Sequence, residues 1–551
     1  DLSTIPADSI AKVEIIKGPG PVQYGTDYKG GVILVTTKDG RGPGKFRVSV
    51  AGGSNHTFDT KLGYSSSDKN ISYAVNLSRH YSAGYLENQT DKKLYFDGKI
   101  RFKTSNKSSL TLNGYYSDMD REVPESVDPA TGQYVAPRGP RWSVQAGNNI
   151  TPNHVKNNNA TDRHFKGFRQ SNIALRYGSR PNDIWQYDVK YYHMIDENNL
   201  WVRNLLATEG GSLPFFTHGA PQWYRSGWFL RGNGVEANAS VAYNSRNVLS
   251  FGAKYIKLSW NTDENNTSYR RDGNDARRSF YVENAWSPSS RTRLTLGVRY
   301  YEGVRQDYMD NKSTPKTSSY AHATDPVFNI THDATKRDTV RFSAGRSHVF
   351  VSSKDAAGNI RNGYPVPKPE RNSSYELGWK HKFSPKSDLD VSYFRTEVRD
   401  RLTFVTFGND RVLGNVDKTH IRGLELAYRQ TFSPKFSGFA NYSWIRAEDE
   451  SKGRTTIASG LPTQMFNFGV TYREGKLRST LLGRAMRARL DTLGRPTSAG
   501  YFAADLDLRY EPIADMGVFL RVNNLFDTDY QYSWGSPADG TNFLLGMDMT
   551  F

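Results

Sequence analysis

The chain has 551 residues with 73 Lys and Arg against 56 Asp and Glu, a formal net charge of +17 and no Cys. The lack of Cys excludes disulfide bonds, thiolate metal sites and a cysteine nucleophile. The strongest apolar stretches, such as residues 32–35, are far shorter than the roughly 18 apolar residues that a membrane-spanning helix needs. Aromatic residues make up 13% of the chain although its mean hydropathy is −0.69. This combination is typical of a transmembrane β-barrel, in which polar lumen-facing residues alternate with apolar lipid-facing ones.

Residues 1–44 do not follow this alternation. Gly18 and Pro19 stop a first short strand, and the pair Gly30 and Gly31 permits a tight backbone before the next one. We therefore predict that residues 1–44 form a separate domain, and that residues 45–551 form the barrel.

From Lys45 onward, apolar and polar residues alternate in segment after segment. In an early segment Ile71, Tyr73, Val75 and Leu77 share one face, while small and polar residues occupy the other. A soluble sandwich also alternates, but its strands rarely fill so long a chain without a domain break. The pattern predicts 22 antiparallel strands, an even number that lets a barrel close, at residues 45–52, 58–64, 70–79, 93–102, 108–117, 171–178, 184–194, 234–244, 248–259, 278–286, 291–301, 326–333, 338–346, 373–381, 388–404, 419–429, 435–445, 464–472, 476–487, 500–510, 515–522 and 542–551.

The predicted connections alternate between short polar turns and longer loops. The longest predicted loops are residues 118–170, 195–233, 302–325 and 347–372. Bacterial outer-membrane barrels place short turns in the periplasm and long loops outside the cell. A barrel of this strand number encloses a lumen wide enough to need a plug.

These loops and the C-terminal region concentrate aromatic and cationic side chains. Rings bury apolar area and Arg fixes negative oxygens, so the set suits a bulky, partly apolar metal chelate. The alternative interpretation is that many of these rings pack the loops on one another or form the outer interfacial girdle. The predicted ligand-binding residues are Arg141, Trp142, His164, Trp201, Phe215, Phe216, His218, Trp223, Tyr224, Arg225, Trp228, Tyr364 and Trp534.

The last strand alternates up to the C-terminus. Phe543, Leu545, Met547, Met549 and Phe551 share one face, and only Leu544 breaks the pattern on the other. We expect this strand to pair with the first one and so remove both sheet edges.

The run from Ile5 to Lys38 resembles the end of the plug domain of TonB-dependent outer-membrane receptors. Segments that begin at Pro369, Asn415 and Val522 resemble late strands of the same family, and Phe551 stands where these proteins carry their assembly signal. The positions that match the plug motif are Val13, Glu14, Ile15, Lys17, Gly18, Pro19, Tyr24, Gly25, Gly31, Val32 and Ile33.

The resemblance implies an energy-coupled receptor in the outer membrane of a Gram-negative bacterium, with ferric siderophore as the leading cargo and cobalamin or haem as alternatives. It implies as partners the TonB complex, the metal chelate, outer-membrane lipid with lipopolysaccharide, and the barrel assembly machinery. By this resemblance the chain begins inside the plug domain, so we expect the signal peptide, the TonB-contacting box and most plug loops to be missing. No cofactor and no resident metal site are expected, since the His residues lack the spacing of a zinc site.

The sequence argues against three other functions. The basic residues are scattered along strands and loops, which argues against nucleic acid and favours an anionic cargo or lipopolysaccharide phosphates. The positive charge is equally consistent with a wall balanced by an acidic plug. A barrel enzyme would need a catalytic group beside His193, which the pattern does not supply. A passive channel would lack the segment that resembles a plug.

Overall fold

The structure, a computed structural model, describes residues 5–18, 20–25, 31–86, 89–123, 126–127, 134–135, 161–204, 223–264, 270–310, 314–407, 410–451, 454–457, 461–490, 496–533 and 536–551. Within these ranges the chain forms a closed antiparallel barrel and a separate two-stranded sheet near the N-terminus. None of the described helices has the length and apolar character that a membrane-spanning helix needs.

The regular elements follow one another in a simple chain order. The N-terminal sheet consists of β1 (Ile10–Lys17) and β2 (Gly31–Thr37). The first barrel strands are β3 (Lys45–Gly53), β4 (Thr57–Ser67), β5 (Ile71–Ser82), β6 (Asp91–Ser105) and β7 (Ser108–Val123), followed by the short pair β8 (Ser126–Val127) and β9 (Tyr134–Val135). The long strands are β10 (Thr161–Ser179), β11 (Trp185–Asn204), β12 (Trp223–Asn244), β13 (Asn247–Glu264), β14 (Arg270–Ser289), β15 (Thr292–Asp310) and β16 (Thr314–Asp333).

The second half of the barrel begins with β17 (Asp338–Val349), helix α1 (Ser353–Arg361), β18 (Glu370–Ser384), β19 (Ser387–Phe407), β20 (Asp410–Thr431) and β21 (Phe436–Ser451). It continues with β22 (Arg454–Ile457), β23 (Gln464–Glu474), β24 (Leu477–Met486), β25 (Arg489–Leu490), β26 (Pro496–Ser498), β27 (Tyr501–Tyr510), β28 (Met516–Asn523), β29 (Gln531–Ser533), β30 (Ser536–Pro537) and β31 (Asn542–Thr550). Two 3-10 turns, Ala7–Ser9 and Val22–Tyr24, flank β1.

The barrel has the 22 strands that the sequence predicts. The pieces β22 and β23 both pair with β21 and together complete one strand, while β8, β9, β25, β26, β29 and β30 lie outside the barrel wall. Each predicted segment falls on one observed barrel strand, so the predicted fold class and strand count are confirmed.

The barrel closes where β31 pairs with β3. Phe46 and Phe551 exchange both backbone hydrogen bonds, with N to O distances of 3.0 and 2.8 Å. The ladder then runs from the pair Arg47 and Thr550 to the pair Gly53 and Leu544. Because lipid offers no hydrogen-bond partners, this ladder satisfies the backbone of both terminal strands. The expected pairing of the first and last strands is confirmed.

The predicted bounds of the long loops are wrong, because the strands continue far into the predicted loop segments. The hairpin of β11 and β12 pairs without a register break from Trp185 to Arg203, so most of the predicted loop 195–233 is sheet. The same holds for residues 302–325, where β15 and β16 leave only residues 311–313 between them. Above the membrane both faces of a strand meet water, so alternation fades while backbone pairing continues.

The connection between β17 and β18 folds into helix α1 instead of an irregular loop. Ser352 caps this helix, because its Oγ accepts a hydrogen bond from the backbone N of Asp355 at 3.1 Å. The serine and the acidic residue three positions later form the usual N-terminal signature of a helix. Helix α1 contacts β14, β15 and β20, so the connection lies against the inner wall of the barrel.

A disulfide across the closing seam will test the barrel closure. Since Phe46 and Phe551 are a hydrogen-bonded pair, Arg47 and Thr550 are the adjacent non-hydrogen-bonded pair, with Cα atoms about 4.5 Å apart. This distance suits a disulfide, and the chain has no other Cys. The double variant Arg47→Cys with Thr550→Cys should form the bond in the folded protein, as seen by a mobility shift that reduction reverses.

The matched control pairs Arg47→Cys with Asn542→Cys at the other end of β31, about 27 Å along the strand. It should stay reduced. Equal oxidation of both double variants would contradict the register.

Candidate functional site

The first part of the site is the place where the N-terminal segment meets the barrel wall, which we call the lumen dock. It consists of the turn Val22–Tyr24 and the side chains of Arg299, Tyr281 and Glu283. Arg299 donates from Nε to the Val22 carbonyl at 2.6 Å and from Nη2 to the Gln23 carbonyl at 2.9 Å. Its side chain is only 2% exposed. A buried guanidinium is stable only when its N–H groups donate hydrogen bonds. The turn supplies the carbonyl acceptors that Arg299 needs, and Arg299 in return holds the turn on the wall.

Further contacts of the lumen dock complete the hold on Val22. The guanidinium of Arg299 lies 5.1 Å from the ring centroid of Tyr281, and its Nη1 donates to Ser279 at 2.7 Å. Glu283 accepts a hydrogen bond from the backbone N of Val22 at 3.3 Å. The Val22 side chain packs against Tyr281 and Val327. The turn is therefore held by hydrogen bonds on its backbone and by apolar contact on its side chain.

Glycine is required at two positions of the plug motif. Gly25 has a φ of 89°, which an L side chain rarely adopts, and a Cβ there would lie 3.4 Å from the hydroxyl of Tyr301. Gly18 has a φ of 63°, and a Cβ there would meet Glu376 Oε2 at 3.1 Å. These positions let the segment approach the wall closely.

The remaining motif residues have different surroundings. Lys17 forms an ion pair with Glu425 on the barrel wall. Glu14 pairs with Lys12 at 2.7 Å on the exposed side of β1. Tyr24 is 42% exposed, and Pro19 lies outside the described residues. A cavity of about 400 Å³ separates Tyr24 from the inner wall, where it is lined by Arg176, Lys190 and Glu236 among others.

Replacing Arg299 by Gln should free the N-terminal turn. Each hydrogen bond of a charged donor contributes about 1.5–3 kcal/mol, so loss of one such bond should speed hydrogen exchange of the Val22–Gly25 amides on the order of tenfold to hundredfold. The control Arg293→Gln removes an exposed Arg that pairs with Asp333 at a short turn, and it should leave this exchange unchanged. Unaltered protection in the Arg299→Gln variant would show that the lumen dock does not hold the segment.

The second part of the site lies nearer the end of the barrel that carries the longer connections, under helix α1, and we call it the mouth cluster. It consists of Trp228, Trp260, Tyr308 and Lys354. Trp260 and Tyr308 stack with ring centroids 6.1 Å apart, and Ala357 of the helix covers them. Trp260 Nε1 donates to Ser353 Oγ at 2.6 Å.

The helix N-terminus is fixed to the wall by a buried carboxylate. The backbone N of Ser353 donates to both oxygens of Asp275, at 3.0 and 3.2 Å. A carboxylate at this end of a helix also interacts favourably with the helix dipole. Helix α1 is therefore anchored through Trp260 and Asp275 on two neighbouring strands.

Lys354 places a cation over an aromatic ring in the same cluster. Its Nζ lies 4.7 Å from the ring centroid of Trp228. Burial lowers the pKa of Lys354, an effect that the nearby carboxylates of Asp355 and Asp196 partly oppose. Trp260 and Tyr308 are buried under the helix, so the mouth cluster offers the partly exposed ring of Trp228 with a partly buried positive charge, a combination that suits an anionic ligand with apolar parts.

The structure brings only part of the predicted ligand set to this cluster. Trp228 belongs to it, and Tyr364 follows helix α1, where its ring stacks on Phe407 with centroids 5.4 Å apart. Trp201 and Arg225 lie opposite each other at register positions that share the face of the exposed Tyr191, away from the lumen. His164 lies opposite Trp201, and its Nε2 lies 3.6 Å from Glu122 Oε1.

The other predicted ligand residues lie outside the described residues in whole or in part. Trp223 and Tyr224 belong to strand β12 instead of a loop, and their side chains are not described. Arg141, Trp142, Phe215, Phe216, His218 and Trp534 fall outside the described residues altogether. Their role in binding stays a prediction. The sequence did not identify Trp260, Tyr308, Lys354 and Arg299 as site residues. Strand alternation shows which rings and cations face the lumen, but it does not show which of them contact a distant segment of the chain.

The position of helix α1 should depend on pH through Lys354. Its pKa is lowered in the docked state, so between this lowered value and the ordinary 10.5 a released helix binds more protons than a docked one. Docking should therefore strengthen as the pH rises through that window. A spin label at Asn362→Cys, in the otherwise Cys-free chain, should become less mobile with rising pH.

Lys354→Met should remove this pH dependence, whereas Lys368→Met, an exposed lysine in the same connection, should keep it. If the mobility of the spin label changed with pH in the same way in both variants, the assignment to Lys354 would be wrong.

Comparison with known proteins decides the family. The family model described as TonB dependent receptor-like, beta-barrel matches residues 101–525. The chain belongs to this family. A vitamin B12 transporter of Vibrio vulnificus is 22% identical over 100% of the chain and 81% of its own length. A ferric-pyoverdine 358 receptor of Pseudomonas putida is 26% identical over 50% of the chain and 35% of its own length.

Solved structures of this TonB-dependent receptor family share the fold. The unliganded ferric citrate transporter FecA superposes with a TM-score of 0.81 at 14% identity, covering 100% of the chain and 85% of FecA. The copper transporter OprC gives a TM-score of 0.80 at 17% identity, over 98% of the chain and 86% of OprC. The resemblance found in the sequence is confirmed, and these relatives are named as transporters and receptors, not enzymes.

Proposed function

We propose that this TonB-dependent receptor binds a metal chelate at the mouth cluster and imports it through the barrel, with a ferric siderophore as the leading cargo. The observation that carries the proposal is the partly exposed ring of Trp228 with Lys354 Nζ 4.7 Å from its centroid, beside the helix that covers the buried pair Trp260 and Tyr308. Chelates of iron combine ring systems or apolar arms with negative oxygens, and an indole ring beside an ammonium group suits both parts.

The names of the relatives support a metal-bearing cargo. They include vitamin B12, ferric pyoverdine and ferric citrate. The vitamin B12 transporter supports cobalamin as one alternative cargo, and haem is the other. The observation that favours haem is His348, whose Nδ1 lies 2.6 Å from Asp325 Oδ1. A carboxylate in this position orients an imidazole for binding a metal through its other nitrogen.

In the proposed transport cycle, residues 1–44 are the C-terminal part of a plug and the lumen dock is where this part rests on the wall. TonB, acting on the plug from the periplasm, releases these contacts and opens a path past Arg176, Lys190 and Glu236. Lys190 and Lys254 both pair with Glu236, at 2.8 and 2.9 Å, so the path is polar and two cations share one carboxylate at this level. We place the barrel in the outer membrane and assign it no enzymatic activity.

Binding to the purified protein is the direct test of the cargo. Ferric catecholates, ferric hydroxamates, ferric citrate, ferric pyoverdine, cyanocobalamin and haemin should be titrated by quenching of tryptophan fluorescence. We expect saturable binding of a ferric siderophore and a loss on the order of tenfold to hundredfold in Trp228→Ala, since a buried ring contributes about 1.5–3 kcal/mol.

The matched control is Trp286→Ala, which removes an exposed ring next to a short turn and should bind as the wild type does. If haemin binds saturably and the His348→Ala variant loses this binding, the cargo is haem and not a ferric siderophore. Absence of saturable binding across the whole panel would overturn the proposed function. Growth of a deletion strain on the same iron and cobalamin sources extends the test to transport.

A further inference from the structure

Three arginines form a row across the outer face of the barrel. Arg395 on β19 lies directly opposite Arg422 on β20, which lies directly opposite Arg446 on β21. We call this row the arginine ladder. The side chains of all three are exposed.

The ladder faces lipid, not the lumen. One row below it, on the same face of the sheet, lie Tyr393, Leu424 and Trp444, and Tyr393 is 45% exposed. Tyr375 on β18 lies directly opposite Arg395 and is also exposed. Aromatic rings of this kind mark the level where a barrel leaves the hydrocarbon core. The arginines therefore stand at the upper edge of the apolar belt, on the side where β19 and β20 extend beyond it.

Like charges directly opposite each other in a sheet destabilise it. Nearby carboxylates relieve little of this repulsion. Arg446 forms an ion pair with Glu448 at 2.6 Å. Glu397 forms its ion pair with Arg399, which is not part of the ladder. Arg395 and Arg422 form no ion pair with any residue in the part of the chain that the structure describes. The ladder is thus a multivalent cationic surface at a membrane boundary, with two of its three guanidinium groups available to an anion.

We propose that the arginine ladder binds the phosphate groups of a phosphorylated glycolipid of the outer leaflet, the lipid A part of lipopolysaccharide. Guanidinium groups bind phosphate in a bidentate manner, and neighbouring strands lie about 4.8 Å apart, so one phosphate can contact two rungs. The acyl chains of the same lipid would cover Tyr393, Leu424 and Trp444 below. The inference rests on the outer-membrane location in the proposed function but is independent of the cargo.

The test measures how lipid A stabilises the purified protein. The triple variant Arg395→Gln, Arg422→Gln, Arg446→Gln should bind lipid A about a hundredfold more weakly than the wild type, because each cation near an anionic membrane surface contributes about a factor of five. In a neutral detergent without lipid A, the same variant should unfold at the wild-type temperature or above it, since the repulsion within the ladder is gone. If the ladder served only to stabilise the fold, the triple variant would unfold at a lower temperature than the wild type.

Two comparisons make the test specific. The control variant Lys103→Gln, Lys107→Gln, Arg180→Gln removes the same charge from exposed positions near the short turns and should keep wild-type lipid A binding. Dephosphorylated lipid A should bind wild type and ladder variant alike, and inorganic phosphate alone should not raise the unfolding temperature of either. The triple Arg→Lys variant should fall between wild type and Gln variant, because it keeps the charge and loses the bidentate geometry.

Equal stabilisation of wild type and ladder variant by lipid A would overturn the proposal. So would stabilisation of the wild type by phosphate alone, which would make the ladder a site for free anions. Since none of these measurements uses a metal chelate, failure here leaves the proposed cargo untouched, and failure of the binding panel leaves the ladder untouched.

Discussion

The backbone of a chain that crosses lipid must find every hydrogen-bond partner within the protein, because hydrocarbon offers none. In this receptor the requirement is met at the seam, where Phe551 and Phe46 exchange backbone hydrogen bonds and β31 completes the ladder with β3. Without this pairing two strand edges would be left in the membrane, each with a row of unpaired groups. The even strand number and the position of the two ends of the barrel sheet, Phe46 and Phe551, on one side follow from it.

Closure creates a lumen, and the lumen sets a second constraint. The inner wall is polar, so charged side chains there need partners within the protein. Arg299 obtains its partners from the backbone of the N-terminal turn, and Arg341 obtains them from Asp390, at 2.6 Å, and Glu376. The N-terminal segment is held by directional bonds to a few wall residues, not by a broad apolar core. Such contacts can be released one by one, as the proposed transport cycle requires.

The same wall carries different chemistry on its two faces and at its two ends. Beside helix α1 the inner face carries the Trp228 ring and the partly buried Lys354, where we propose that a chelate binds. The outer face presents apolar residues to lipid and then, one row higher, the arginine ladder. Because side chains on a strand alternate between the faces, one set of strands can serve ligand and membrane independently.

The sequence by itself determined the number of strands, their order and the pairing of the first with the last, because lipid on one face and water on the other impose a period of two on every membrane-crossing segment. It also identified the plug motif through its glycines and the Lys17 position. It could not determine where the strands end, since alternation stops at the membrane surface although pairing continues to Asn204 and Trp223. Nor could it find the lumen dock, the mouth cluster or the arginine ladder. Arg299 and Val22, or Trp260 and Ser353, are far apart in the chain, and Arg395, Arg422 and Arg446 become neighbours only through strand register. Register is set by the closure of the whole sheet, so only the tertiary structure decided which of the many rings and cations stand together.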